Sequence, residues 1–269
     1  MARGLCAAPC CTNAAAGGVV AATAPPPTVH DMTRLLSDFV YDSYTRPAGD
    51  LPLPALSPLS PLPPLSEPDG PARALPSQAS TEALVRVAHD RVQVMSLYWR
   101  AGWRHARPGA LVRAGVADRL YDVADALPPR LGLAVFDAWR PLELQQEIYD
   151  VAYADASLPP GFVTPPSADP AAPPPHLTGG TVDLTLTLDG VPLALGTTFD
   201  DFTDDARADS FEATPGQVRD LRRLLFHAMA TVEFVVIDCE WWHFEYGTRR
   251  WSAITGGTPM YGPAAPQTA

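Results

Sequence analysis

Residues 181–195 read TVDLTLTLDGVPLAL. Val182, Leu184, Leu186 and Leu188 alternate with polar neighbours, the period of a strand, and Asp189-Gly190 supplies a tight turn before the chain returns. A hairpin of this kind predicts antiparallel pairing. Working outward, GFVTPPSADPAAPPPHLTGG (161–180) is a loop dense in breakers. LGLAVFDAWRP (131–141) is a buried strand running to Arg140-Pro141, and a helix over 142–153 follows it. Residues 110–127 place Leu111, Val116, Leu120, Val123, Ala124 and Leu127 largely on one helical face, and Pro128-Pro129 stops that helix. Residues 215–230 open with Pro215 and carry Val218, Leu221, Leu225 and Met229 at helical spacing. FVVIDCEWWHFEY (234–246) is rich in β-formers. Strands and helices mix without βαβ repetition, which predicts an α+β fold with a small antiparallel sheet flanked by helices.

The 269 residues are not uniform in texture. Residues 1–27 resemble a weak signal peptide, with one early Arg and an Ala22-Thr23-Ala24 site, but lack an apolar run. They leave the compartment, cytoplasmic or periplasmic, open. In LPLPALSPLSPLPPLSEPDGPARALP (51–76) Pro recurs every two or three residues, so the segment sustains neither helix nor central strand. It reads as an extended surface insertion or linker. The expected organisation is therefore a largely disordered leader and Pro-rich linker over 1–79, a catalytic domain over 80–262, and a flexible tail over 263–269.

Composition excludes some functions. No run of about 18 apolar residues exists, so no membrane span is expected. A net charge of -11 argues against nucleic acid, whose phosphates call for a basic surface. All 19 basic residues are Arg, which we ascribe to a GC-rich genome. Cys6, Cys10 and Cys11 lack the paired spacing of a zinc ribbon, and Cys239 reads as a small strand residue.

His176 ends the Pro-rich loop, Asp183 follows across Gly179-Gly180, and His243 comes much later in CEWWHFEY (239–246). Two imidazoles and a carboxylate, with a fourth position for water, make up a catalytic rather than a structural zinc site. Glu240 is then the natural general base. Arg140, emerging where a buried strand ends, is placed to stabilise an oxyanion. Each residue also has a plainer reading. His176 could be solvated, Asp183 a turn acceptor, His243 a core histidine, and Glu240 the partner of Arg140. Trp241 and Trp242 could wall a pocket or simply fill the core. On a regular strand Glu240 and His243 face opposite sides, so a shared site predicts that the strand bulges or ends between them.

FDAWRP (136–141), SADPAAPPPHLTGGTVDLTL (167–186), LGTTFDDF (195–202) and EWWHFEYG (240–247), in that order, resemble the D-alanyl-D-alanine dipeptidase family. That group of zinc dipeptidases, with the vancomycin-resistance enzyme among them, lies within the D,D-peptidases of hedgehog-like fold. The resemblance covers about residues 80–262. It implies one zinc ion held by His176, Asp183 and His243, Glu240 as base and Arg140 as transition-state stabiliser. It further implies that Asp200 holds the substrate amine, and that short D,D-dipeptides are cut while longer chains are refused. Family members often carry a Ser two residues before the first histidine; here that place is Pro174, which puts substrate choice in doubt. Two other readings compete. One is a carboxypeptidase or endopeptidase acting on peptidoglycan stems, and the other a zinc-binding module without catalysis. Neither implies a protein partner.

Overall fold

The computed structural model describes residues 39, 41–49, 51–65, 75–154 and 163–266. The leader read over 1–27, with its three cysteines, lies outside the described residues. The elements run β1 (Arg46–Pro47), β2 (Leu84–Arg86), β3 (Val92–Val94), α1 (Leu97–Arg100), β4 (Leu111–Arg113), α2 (Ala114–Ala126), β5 (Leu131–Asp137) and α3 (Leu142–Ala152). They continue with β6 (Thr181–Leu188), β7 (Val191–Ala194), α4 (Gln217–Thr231), β8 (Val235–Ile237), β9 (Glu240–Glu245) and α5 (Arg249–Thr255).

The fold is α+β. Its centre is β6, every residue of which is buried. One edge of β6 pairs antiparallel with β5; the other is shared, its N-terminal half taken by β9 and its C-terminal end by β7. The hairpin forms as read, with Asp189 at φ 52° and Gly190 at φ 78°, the left-handed pair a two-residue turn requires. The expected small antiparallel sheet needs correction, because it has seven strands and is mixed: β1 joins β7, and β3 joins β5, in parallel. Those edge strands are two and three residues long, too short to show a period in sequence. A separate antiparallel pair, β2 with β4, takes Leu111–Arg113 out of the helix expected to begin at 110.

The helices bury the faces their spacing announced. In α2, Val116, Leu120, Val123 and Ala124 are at most 1% exposed, and in α4 so are Leu221, Leu225 and Met229. Each fully buried Leu, Val or Met contributes about 1.5–3 kcal/mol. The packed body also reaches into the region read as leader and linker. Phe39, Tyr41, Ala48 and Leu51 are buried, and Phe39 stacks on Trp103 at 3.8 Å between ring centroids. Residues 51–65 form neither helix nor strand, as their prolines require, but Leu53, Leu56, Leu62 and Leu65 pack on the core and α4 ties down the strap. There Arg223 and His227 bond the carbonyls of Leu59 and Ser60. At the other end Ala264 donates to Leu177 O and accepts from Trp139 Nε1, so this part of the expected flexible tail is anchored. No helix among the described residues is long and apolar enough to cross a membrane.

Candidate metal centre and active site

Strand register assembles the centre. Asp137 on β5 lies opposite Asp183 on β6, and Asp183 lies opposite His243 on β9, so the three stand in a row across the sheet. His176 joins them from a 3-10 turn over Pro175–Thr178, closed by Gly179 at φ 72°. Main-chain bonds dock that turn: Arg140 N donates to His176 O at 3.3 Å, and Arg113 N to Gly179 O at 2.9 Å. Gly180, just before β6, runs so close to the end of β9 that an added Cβ would lie 2.5 Å from Tyr246 O. Gly180→Ala therefore forces the two strands that carry Asp183 and His243 apart. A loss of about 1–3 kcal/mol is expected, read as a lowered urea midpoint.

Oriented imidazoles come next. His176 Nδ1 stands 2.7 Å from the carbonyl of Ala138, which assigns the proton there and turns Nε2 toward Asp183 Oδ2 at 3.3 Å. His243 Nε2 meets Glu245 Oε1 at 3.0 Å, leaving Nδ1 at 3.0 Å from Asp183 Oδ1 and 3.5 Å from Glu240 Oε2. One ligating atom from each of His176, Asp183 and His243 lies within 4.8 Å of the others, and all three residues are buried. Asp183 Oδ1 is buried and, despite its closeness to His243, lacks the geometry of a hydrogen bond. A buried oxygen left in that state, two imidazoles with their far nitrogens engaged, and ligands of mixed N and O type all fit a divalent cation.

The expected bulge is present. Ile237 pairs with Glu240 whereas Val236 pairs with Phe244, so Trp241, Trp242 and His243 are looped out of register with β8. Both Glu240 and His243 consequently line one pocket, together with Arg140, His176, Asp183 and Asp200. The space inside that the centre of a water molecule can reach is about 60 Å³. Trp241 and Trp242 do not line it. Their indoles are buried at 3% and 1% exposure; Trp241 Nε1 donates to Thr197 Oγ1, and Trp242 packs on Phe199. Because the sheet is covered on both faces, an aromatic on β9 finds core whichever way it points.

Arg140 is held from several sides. Nε donates to Asp137 Oδ2 at 3.0 Å, one terminal nitrogen to Gln145 Oε1 at 2.8 Å, and the other to Tyr98 OH at 3.2 Å. The last nitrogen is also 3.8 Å from Asp183 Oδ2. Burial opposes its charge, yet Tyr98, Asp137, Asp183 and Asp200 outweigh burial and raise the guanidinium above its usual value. Asp200, left-handed at φ 56°, is raised well above the usual carboxylate range. Burial is the main cause, and the neighbouring charges of Asp183 and Glu240 add to it against the pull of Arg140.

These motifs lie inside a stretch, residues 117–253, that matches the family model described as D-Ala-D-Ala dipeptidase. The chain belongs to the D-Ala-D-Ala dipeptidase family. A curated D-alanyl-D-alanine dipeptidase from Synechocystis sp. is 28% identical over 220 residues, covering 68% of this chain and 89% of that protein. The family match spans Arg140, His176, Asp183, Asp200, Glu240 and His243. Tyr98, Gln145, Glu245 and Arg250 are among the neighbours of the site that went unread in the sequence. Glu245 had a visible signal, since residues two apart on a strand share a face and His243-Phe244-Glu245 is such a pair. Tyr98 and Gln145 come from other elements and carried none.

Proposed function

We propose that the chain is a zinc-dependent dipeptidase that hydrolyses D-alanyl-D-alanine, or related short D,D-dipeptides, to free amino acids. The observation that carries this reading is the convergence of His176, Asp183 and His243 around one point, with Glu240 and Arg140 lining the same pocket. The hedgehog-like arrangement and a catalytic domain over 80–262 belong to the same proposal. His176 would ligate through Nε2, His243 through Nδ1 and Asp183 through a carboxylate oxygen. When bound, zinc polarises the scissile carbonyl and lowers the pKa of a nearby water toward about 7.

The chain's own groups do the rest. Glu240 takes a proton from the attacking water and delivers it to the leaving amine nitrogen. Arg140 faces the negative charge that gathers on the carbonyl oxygen, and its bonds to Asp137, Gln145 and Tyr98 orient it before reaction begins. Asp200 holds the substrate's ammonium, whose charge offsets the repulsion from Asp183 and Glu240. The narrow pocket suits a dipeptide better than a stem peptide. Purified protein is expected to carry about one zinc per chain by mass spectrometry and to release amine from D-Ala-D-Ala faster than from stem peptides. Faster cleavage of the longer stems would instead indicate a carboxypeptidase or endopeptidase. Zinc-loaded protein that left every D,D-dipeptide intact would mean a binding module.

A further inference from the structure

Arg250 belongs to no motif noted in the sequence, yet from α5 it lines the pocket shared by Asp183, Glu240 and His243. Its side chain is 13% exposed, and Nε stands 3.0 Å from Glu245 Oε1. The same oxygen meets His243 Nε2 at 3.0 Å, so one carboxylate separates Arg250 from a candidate metal ligand. Glu245 is wholly buried, and its second oxygen accepts from Thr248 Oγ1. Held at both oxygens, Glu245 fixes the direction in which Arg250 leaves the helix.

A dipeptide is a zwitterion, and a pocket that recognises it offers one anion and one cation. Asp200 lies among Arg140, Asp183, Glu240 and Tyr98. Arg140 is committed to Asp137, Gln145 and Tyr98 beside Asp183. Among the described residues lining the pocket, the other guanidinium is Arg250, on the Glu245 side of His243. A planar fork of N–H donors matches a carboxylate in bidentate fashion.

We propose that Arg250 binds the C-terminal carboxylate of the substrate and so restricts cleavage to peptides whose free carboxylate lies one residue beyond the scissile bond. This rests on the dipeptidase reading and adds its determinant of specificity. Zinc-loaded protein is assayed with D-Ala-D-Ala and with D-Ala-D-alaninamide, which has the same shape but an uncharged end. The wild type is expected to prefer the acid by about 10- to 100-fold in kcat/KM, the range of a charge-assisted bond. Arg250→Met raises KM for the acid by a similar factor, leaves kcat and zinc content nearly unchanged, and barely alters the amide. Arg250→Lys, keeping the charge without the fork, falls between. An acid preference that survives Arg250→Met overturns the proposal. So does a wild type that cleaves acid and amide alike, a result needing no variant to fold, and it leaves the dipeptidase reading standing. A wild type that cleaves neither compound fails that reading, and the role of Arg250 falls with it.

Discussion

Glu240→Gln is expected to retain zinc and lose turnover by about 100- to 10,000-fold, the range attributed to a positioned general base. The amide keeps the shape of the carboxylate but accepts no proton at neutral pH. Glu240 opens β9, directly before the bulge that aims it into the pocket, and its Oε2 stands 3.5 Å from His243 Nδ1. It is outside the group of three residues whose atoms converge, so metal content should hold while kcat collapses. The two readouts are zinc per chain by mass spectrometry and amine release from D-Ala-D-Ala. A glutamine variant with most of the wild-type turnover would end the assignment of Glu240 as base.

His243→Ala should fail differently, losing the metal first. It removes one of the three converging residues proposed as ligands and strands Glu245, whose Oε1 would keep Arg250 but lose the imidazole. Zinc affinity is expected to drop by more than about 100-fold, beyond the usual effect of disturbing only a ligand's supporting partner. The wild type should also show a pH signature. Burial lowers the pKa of His243, but Asp183 and Glu245 outweigh burial and raise it well above the ordinary histidine value. In the metal-free protein the imidazole thus keeps its proton at Nδ1, and zinc ligated there, as proposed, would have to displace it. With one proton released per ion, affinity climbs about tenfold per pH unit while pH stays below that raised pKa, then levels off. The metal-free fold responds oppositely. Its gain from the imidazolium is fully present below the unfolded value near 6.5 and is lost as pH rises through the raised one. Zinc affinity that did not change with pH would contradict a protonated His243.

Much of this arrangement was legible because it obeys short-range periods. The hairpin at 181–195 announced β6, the turn and β7, and helical spacing announced α2, α3 and α4 to within a few residues. Even the bulge was deducible, since one site could not use Glu240 and His243 on an unbroken strand. What stayed hidden depends on long-range pairing. Leu111–Arg113 has helical neighbours but is claimed by Leu84–Arg86, and tertiary pairing overrides local preference there. The parallel pairing of β3 with β5 has no trace in three residues. Trp241 and Trp242 were open to two readings because alternation names a face without saying what covers it. Tyr98 and Glu245 are ordinary letters until the fold sets them against Arg140 and His243.

The two imidazoles are steered by partners of unlike kind. His176 is oriented by the main-chain oxygen of Ala138, which every possible residue at that position would still provide. His243 is oriented by the side chain of Glu245, which a single base change can replace. The carbonyl contact of His176 is therefore indifferent to which residue stands at 138, while the carboxylate contact of His243 depends on the residue at 245. Divergence among relatives should gather around Glu245, Thr248 and Arg250, where selection has something to alter, and leave the setting of His176 untouched.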